Sequence, residues 1–93
     1  MHFEEGQLYH VYNRGNNKQT IFFSEEDYFS FLEKAHLYLK PRCDIFDWCF
    51  MPNHFHFLVH ANHKSIIPTP NVNIPMQHLA DGIRLTLSSY AKK

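Results

Sequence analysis

The chain is predicted to fold as an α+β domain of the ferredoxin-like or RRM-like kind, an antiparallel sheet with two helices on one face. Three observations lead there. Its 93 residues make one domain, 1–93, long enough to bury most of its unfolded surface in a single core. Nine Phe, five Tyr and one Trp supply bulky rings for that core. Hydrophobic spacing alternates between period two and period 3.6 in the order strand, helix, strand, strand, helix. Those are the first five elements of a split β-α-β arrangement, which a fourth strand would finish.

The first strand is read over Gln7 to Asn13, a run rich in aromatic and β-branched residues. Alternation puts Leu8, His10 and Tyr12 on one face and Tyr9, Val11 and Asn13 on the other. Arg14-Gly15-Asn16-Asn17-Lys18 breaks the strand, because Gly and Asn tolerate the positive φ of turns. Arg14 and Lys18, with Asn13 at the edge of this loop, are the candidates for DNA contact.

Ser24 is placed to cap the first helix, and Asp27 three residues on approximates a capping box. Glu25, Glu26 and Asp27 fill a first turn where the helix dipole favours negative charge, so they are read as helix chemistry and not as catalytic carboxylates. Tyr28, Phe31, Leu32, Ala35 and Leu39 recur at helical spacing to about Lys40, and Pro41 ends the helix.

Arg42 to Met51 is the second strand, with Phe46, Trp48 and Phe50 expected on one face and Ile45, Asp47, Cys49 and Met51 on the other. Met51-Pro52-Asn53 is a short turn signal, so the next strand returns as an antiparallel hairpin. A polar loop punctuated by Pro and Asn spans Ala61 to Pro75 and is expected to be functional or mobile. A second helix starts near Pro75, with Met76, Leu79, Ala80, Ile83, Leu87 and Tyr90 as its apolar stripe. Gly82 weakens it modestly.

Lys plus Arg equal Asp plus Glu at nine each, so there is no basic excess for a broad electrostatic nucleic-acid surface, though a local patch remains compatible. Eight histidines are scattered along the chain and do not form a tract. Cys43 and Cys49, placed on one strand ~20 Å apart, are too distant to bridge within it, which suits reduced thiols in a cytoplasmic protein. The acidic amino terminus lacks the apolar core of a signal peptide, and no apolar run reaches membrane-spanning length.

Met51-Pro52-Asn53-His54-Phe55-His56-Phe57-Leu58-Val59 holds the densest chemistry. On a strand, His54 and His56 share one face while Phe55, Phe57 and Val59 share the other. Two imidazoles side by side over an apolar anchor make a plausible half of a transition-metal site. His60 is in phase but ~13 Å beyond His56, too far to join it on one ion. With both helices covering the face of Phe55, Phe57 and Val59, the histidines fall on the open face, where nucleic-acid-binding sheets of this kind take their ligands.

This stretch resembles the histidine-hydrophobic-histidine (HUH) motif of the single-tyrosine transposases, particularly the REP-associated tyrosine transposases. Tyr9-His10-Val11-Tyr12-Asn13-Arg14-Gly15 with Ile21-Phe22-Phe23 is similar to that family's amino-terminal signature, and Leu87-Ser88-Ser89-Tyr90 to the segment after the motif. The resemblance spans nearly the whole chain. It implies a metal-dependent DNA strand transferase: His54 and His56 bind a divalent ion, a tyrosine attacks the scissile phosphate, and a 5′-phosphotyrosine forms with release of a 3′-OH. The implied DNA is single-stranded, often a hairpin. Imidazole ligands alone suggest Zn or Mn, and the resemblance implies Mg or Mn.

The family's nucleophile and third metal ligand belong to a later helix with a Tyr-Ile-x-x-Asn-Pro type of motif, which has no counterpart between Ala61 and Lys93. Tyr90 is the tyrosine that follows the histidines, and thus the candidate nucleophile, but it also completes the apolar stripe of its helix. The chain is therefore expected to be an amino-terminal portion, a truncated gene product or a decayed copy that binds metal and DNA without cutting. An exposed sheet edge, left by the missing fourth strand, is expected to be completed by self-association as a homodimer. Histidine-triad nucleotide hydrolases need a third histidine at the position of Leu58. The other reading is a non-catalytic nucleic-acid-binding domain of the same fold, using Tyr12, His54 and His56 for stacking or phosphate contact.

Overall fold

In the computed structural model, which describes residues 2–14, 20–70 and 76–91, an antiparallel three-stranded sheet packs against two helices. Strand β1 spans Leu8–Arg14, helix α1 Glu25–Tyr38, β2 Asp44–Met51, β3 His54–His60 and helix α2 His78–Ala91. The strand order is β1-β3-β2, so the histidine strand lies in the middle. This is an α+β fold, compatible with a small ferredoxin-like domain. Among the described residues no helix is long and apolar enough to cross a membrane.

The central strand shows why the histidines face outward. Phe55, Phe57 and Val59 are buried against the helices, while Leu58 is exposed and His54, His56 and His60 are half-buried. Phe31 of α1 contacts Phe55 and Phe57 at ring-centroid distances of 4.9 and 6.0 Å. Phe22, Phe50 and Tyr90 complete an aromatic cluster around it. Such offset and edge-on rings favour one arrangement over a merely greasy one.

Helix α1 begins as its sequence predicts. Ser24 Oγ accepts from the Asp27 N–H at 3.3 Å. The Asp27 carboxylate reaches back to the N–H of Phe23 at 2.8 Å, one residue before the cap itself. The helix ends at Tyr38, and Pro41 sits in a single 3-10 turn, Lys40–Arg42, where its missing N–H costs little.

One expectation about faces is corrected, and in α2 the buried side extends beyond the apolar stripe, whose Ala80, Ile83 and Leu87 pack against the core. In β2, Ile45 lies opposite Val59 and Asp47 opposite Leu58, leaving Phe46 as an extra residue. This bulge reverses the alternation. Ile45 therefore joins the covered face with Trp48 and Phe50, and Phe46 stacks on His60 instead of facing the helices. In α2, Gly82 and Thr86 are buried along with Leu79 and Tyr90, while Ala80, Ile83 and Leu87 are only half-buried. The turn after α1 comes close to the helix at Gly82. A Cβ on Gly82 would lie 2.5 Å from Arg42 Cδ and 2.7 Å from the Tyr38 carbonyl oxygen, so only glycine lets the segments approach so closely. Thr86 Oγ1 donates to the Gly82 carbonyl at 2.8 Å and is satisfied inside its own helix.

The segment after β3 is held in place over residues 61–70. Ser65, fully buried, donates through Oγ to the Arg42 carbonyl, and its backbone oxygen accepts from the Leu79 N–H. Thr69 N–H and the Met76 carbonyl pair at 2.9 Å. The Gln77 side chain clamps both backbone groups of Phe3, accepting from its N–H at 2.7 Å and donating to its carbonyl at 2.8 Å. Cys43 precedes β2 instead of lying on it and is buried; Cys49 is exposed, and both thiols are free.

Candidate metal centre and nucleic-acid interface

Register brings the functional side chains onto one face. Tyr12 lies opposite His56, His10 opposite Leu58 and Leu8 opposite His60 on the β1 side. Cys49 lies opposite His56, Asp47 opposite Leu58 and Asp44 opposite His60 on the β2 side. The tight turn at Pro52 and Asn53 is pinned from below, since the N–H groups of Ile21 and Phe22 both donate to the Pro52 carbonyl, at 2.7 and 3.0 Å. The entry to the histidine strand is thereby fixed to the aromatic core.

His54 and His56 sit side by side, ring centroids 5.0 Å apart and nearly perpendicular at 88°. Each Nδ1 has a neighbour. His54 Nδ1 is 2.8 Å from Asn53 Oδ1, which only accepts, so this nitrogen carries the proton and Nε2 keeps its lone pair. His56 Nδ1 is 2.6 Å from His10 Nε2, and the two rings meet edge to edge in nearly one plane, with centroids 4.7 Å apart and planes 16° from parallel. When His10 accepts from His56, the Nε2 atom of His56 carries the lone pair of the neutral ring. This is the arrangement that orients metal-binding imidazoles elsewhere, with the second nitrogen held by an outer partner. Two imidazoles side by side, each with its Nδ1 in a hydrogen bond, are a donor set that suits a divalent ion. Among the described residues no group of three His, Cys, Asp or Glu is placed to hold a metal.

Around the pair lies an aromatic surface. Tyr12 is 61 % exposed, with its ring 6.0 Å from His56 and 5.1 Å from His10. A depression of about 160 Å³ runs beside it, lined by His10, Asp47, Trp48, Cys49, His56 and Leu58. Flat, exposed rings of this kind accept stacked bases without regard to sequence.

The other sequence candidates fall differently. Asn13 is exposed but pairs in register with Phe55, on the face away from the histidines. The Arg14 backbone lies opposite His54; its side chain, and the whole of Lys18, lie outside the described residues. Tyr90 is buried under the sheet, its ring against Phe22 and Phe31 and its hydroxyl donating to the Ile21 carbonyl at 2.7 Å. The sheet separates it from His54 and His56, so in this fold it is a core residue and not a nucleophile for that site.

Sequence reading placed His10 on the correct face but did not link it to His56. The available signal was the in-phase His10 and Tyr12 of the neighbouring strand, which only the register turns into a contact. Comparison of the chain with known protein families, curated proteins and solved structures found no match.

Proposed function

We propose that this chain binds single-stranded DNA on the open face of its sheet and holds a divalent ion, Mn or Mg, on His54 and His56, in the manner of an HUH transposase. The observation that carries the reading is the geometry of the pair: two imidazoles on one face of the sheet, ring centroids 5.0 Å apart, each with Nδ1 beside a hydrogen-bond partner. A divalent ion there would draw charge from a bound phosphodiester and make its phosphorus more electrophilic. The chain's own residues do the rest of the binding. Asn53 and His10 orient the ligands, Tyr12 offers a ring to a base, and the aromatic core beneath β3 keeps the two histidines from turning away.

The tyrosine that follows the histidines in sequence, Tyr90, is held on the other side of the sheet, and Tyr12, which does stand on their side, is read as a stacking ring. This favours a second reading in which the chain binds nucleic acid without cleaving it. Titration calorimetry with Mn²⁺ tests the metal site. Binding that His54→Ala abolishes, with the fold retained, is expected; metal affinity unchanged by His54→Ala would overturn the site. A labelled single-stranded hairpin separates the two readings, because a covalent protein–DNA adduct on a denaturing gel marks cleavage.

A further inference from the structure

A second cluster stands on the same open face, at the far end of β3. His60 Nδ1 is 3.1 Å from Asp44 Oδ2, across the β2–β3 ladder. Asn62 Nδ2 donates to the other oxygen of Asp44 at 3.3 Å. Phe46, pushed out by the bulge, lies parallel to the His60 ring at 2°, with centroids 5.7 Å apart. Phe46 is 59 % exposed, and exposed Leu8 stands opposite His60 on β1.

The hydrogen bonds determine what His60 presents. A carboxylate only accepts, so His60 Nδ1 must donate to Asp44, and in the neutral imidazole the Nε2 atom then carries a lone pair and no proton. The cluster is therefore a flat ring pair beside a single oriented acceptor. Its distance from His56, four residues along a strand, is ~13 Å, a few nucleotides along a single strand.

Resting on the reading that this face binds single-stranded DNA, we propose that Phe46, His60 and Asp44 form a nucleobase subsite that selects a base with an exocyclic amino group. The base stacks on the Phe46 ring, and its amino group donates to His60 Nε2. Cytosine offers a freely directed amino hydrogen. The ring N–H of thymine lies between two carbonyl oxygens, whose lone pairs repel that of the imidazole. Asp44 acts as a positioning residue: it holds His60 in the accepting tautomer without touching the base. One hydrogen bond of ordinary net strength gives about a fivefold preference.

Fluorescence anisotropy with labelled oligodeoxycytidylate and oligothymidylate of about ten nucleotides, a common single-strand site size, tests the proposal. It is run with the whole chain and Mn²⁺ at mildly alkaline pH, where imidazoles are neutral. The wild type is expected to prefer oligodeoxycytidylate about fivefold, and His60→Ala to bring the ratio to one while leaving Mn²⁺ affinity unchanged. Asp44→Asn is nearly isosteric. Asn62 would keep the new amide's oxygen turned toward itself, so its NH₂ would face His60, donate to Nδ1 and force the proton onto Nε2. The preference should then vanish or reverse while oligothymidylate still binds. A wild-type ratio of one, or a preference that survives both substitutions, overturns the subsite alone. Failure of both oligonucleotides to bind overturns the subsite together with the DNA-binding reading.

Discussion

His10 Nε2 lies 2.6 Å from His56 Nδ1, and the two rings meet edge to edge across the β1–β3 ladder. Neither residue's role can be understood without the other, because the proton between them decides whether His56 has a lone pair on Nε2. His10→Ala is expected to weaken Mn²⁺ binding about tenfold, the lower end of what losing an outer-shell partner costs. His10→Gln, whose carbonyl oxygen can still accept, should recover part of that loss. Calorimetry on the two variants checks both statements. Equal affinity in His10→Ala and wild type would show that His10 does not orient His56.

Tyr90→Phe separates packing from chemistry. The ring stays against Phe22 and Phe31, and the hydroxyl's bond to the Ile21 carbonyl is removed. Stability should fall by about 1 kcal/mol, with DNA and metal affinities unchanged. Urea denaturation and anisotropy on the same preparation give the two numbers.

Helix propensity taken alone predicts that Gly82→Ala stabilises the protein by about 1 kcal/mol. The Tyr38 carbonyl, 2.7 Å from the added methyl, is backbone and cannot swing aside. Overpacking wins, and the expected result is a net loss of about 1–2 kcal/mol by urea denaturation.

The two cysteines should behave oppositely. Burial, reinforced by the nearby Asp44 carboxylate, pushes the Cys43 thiol from 9.0 up to about 12. A disulfide reagent at neutral pH should modify Cys49 alone in the folded protein and both thiols once it is unfolded. The folded state retains the Cys43 proton where the unfolded chain would release it. This contribution to stability is therefore complete below pH 9 and is lost as pH rises toward 12. Denaturation midpoints measured up that pH range should decline, and Cys43→Ala should flatten the decline.

Much of this architecture could be read from spacing. The capped start of α1, the two-residue turn at Pro52 and Asn53, and the outward pair His54 and His56 all follow from local chemistry, which acts over a few residues. What escaped the reading depends on partners far apart in sequence. His10 meets His56 across 46 residues and Gln77 meets Phe3 across 74, and no periodicity reports such contacts. The burial of Gly82 and Thr86 was hidden for a related reason. A helix's apolar stripe marks its greasiest side, whereas the side that packs closest is chosen by where its neighbour leaves room.

The extra residue at Phe46 acts as a phase shift in the chain. On its turn side, odd and even positions of β2 serve one pair of faces; beyond it, the assignments are exchanged. Deleting that single residue would close the ladder into an unbroken alternation and leave Ile45 opposite Val59 and Asp44 opposite His60. Pairing Phe46 in the ladder without the bulge would do the reverse, setting Asp44 toward the helices and Ile45 toward solvent. The bulge thus lets a strand with one residue too many keep its far end the right way round, and what it expels is the exposed ring of Phe46.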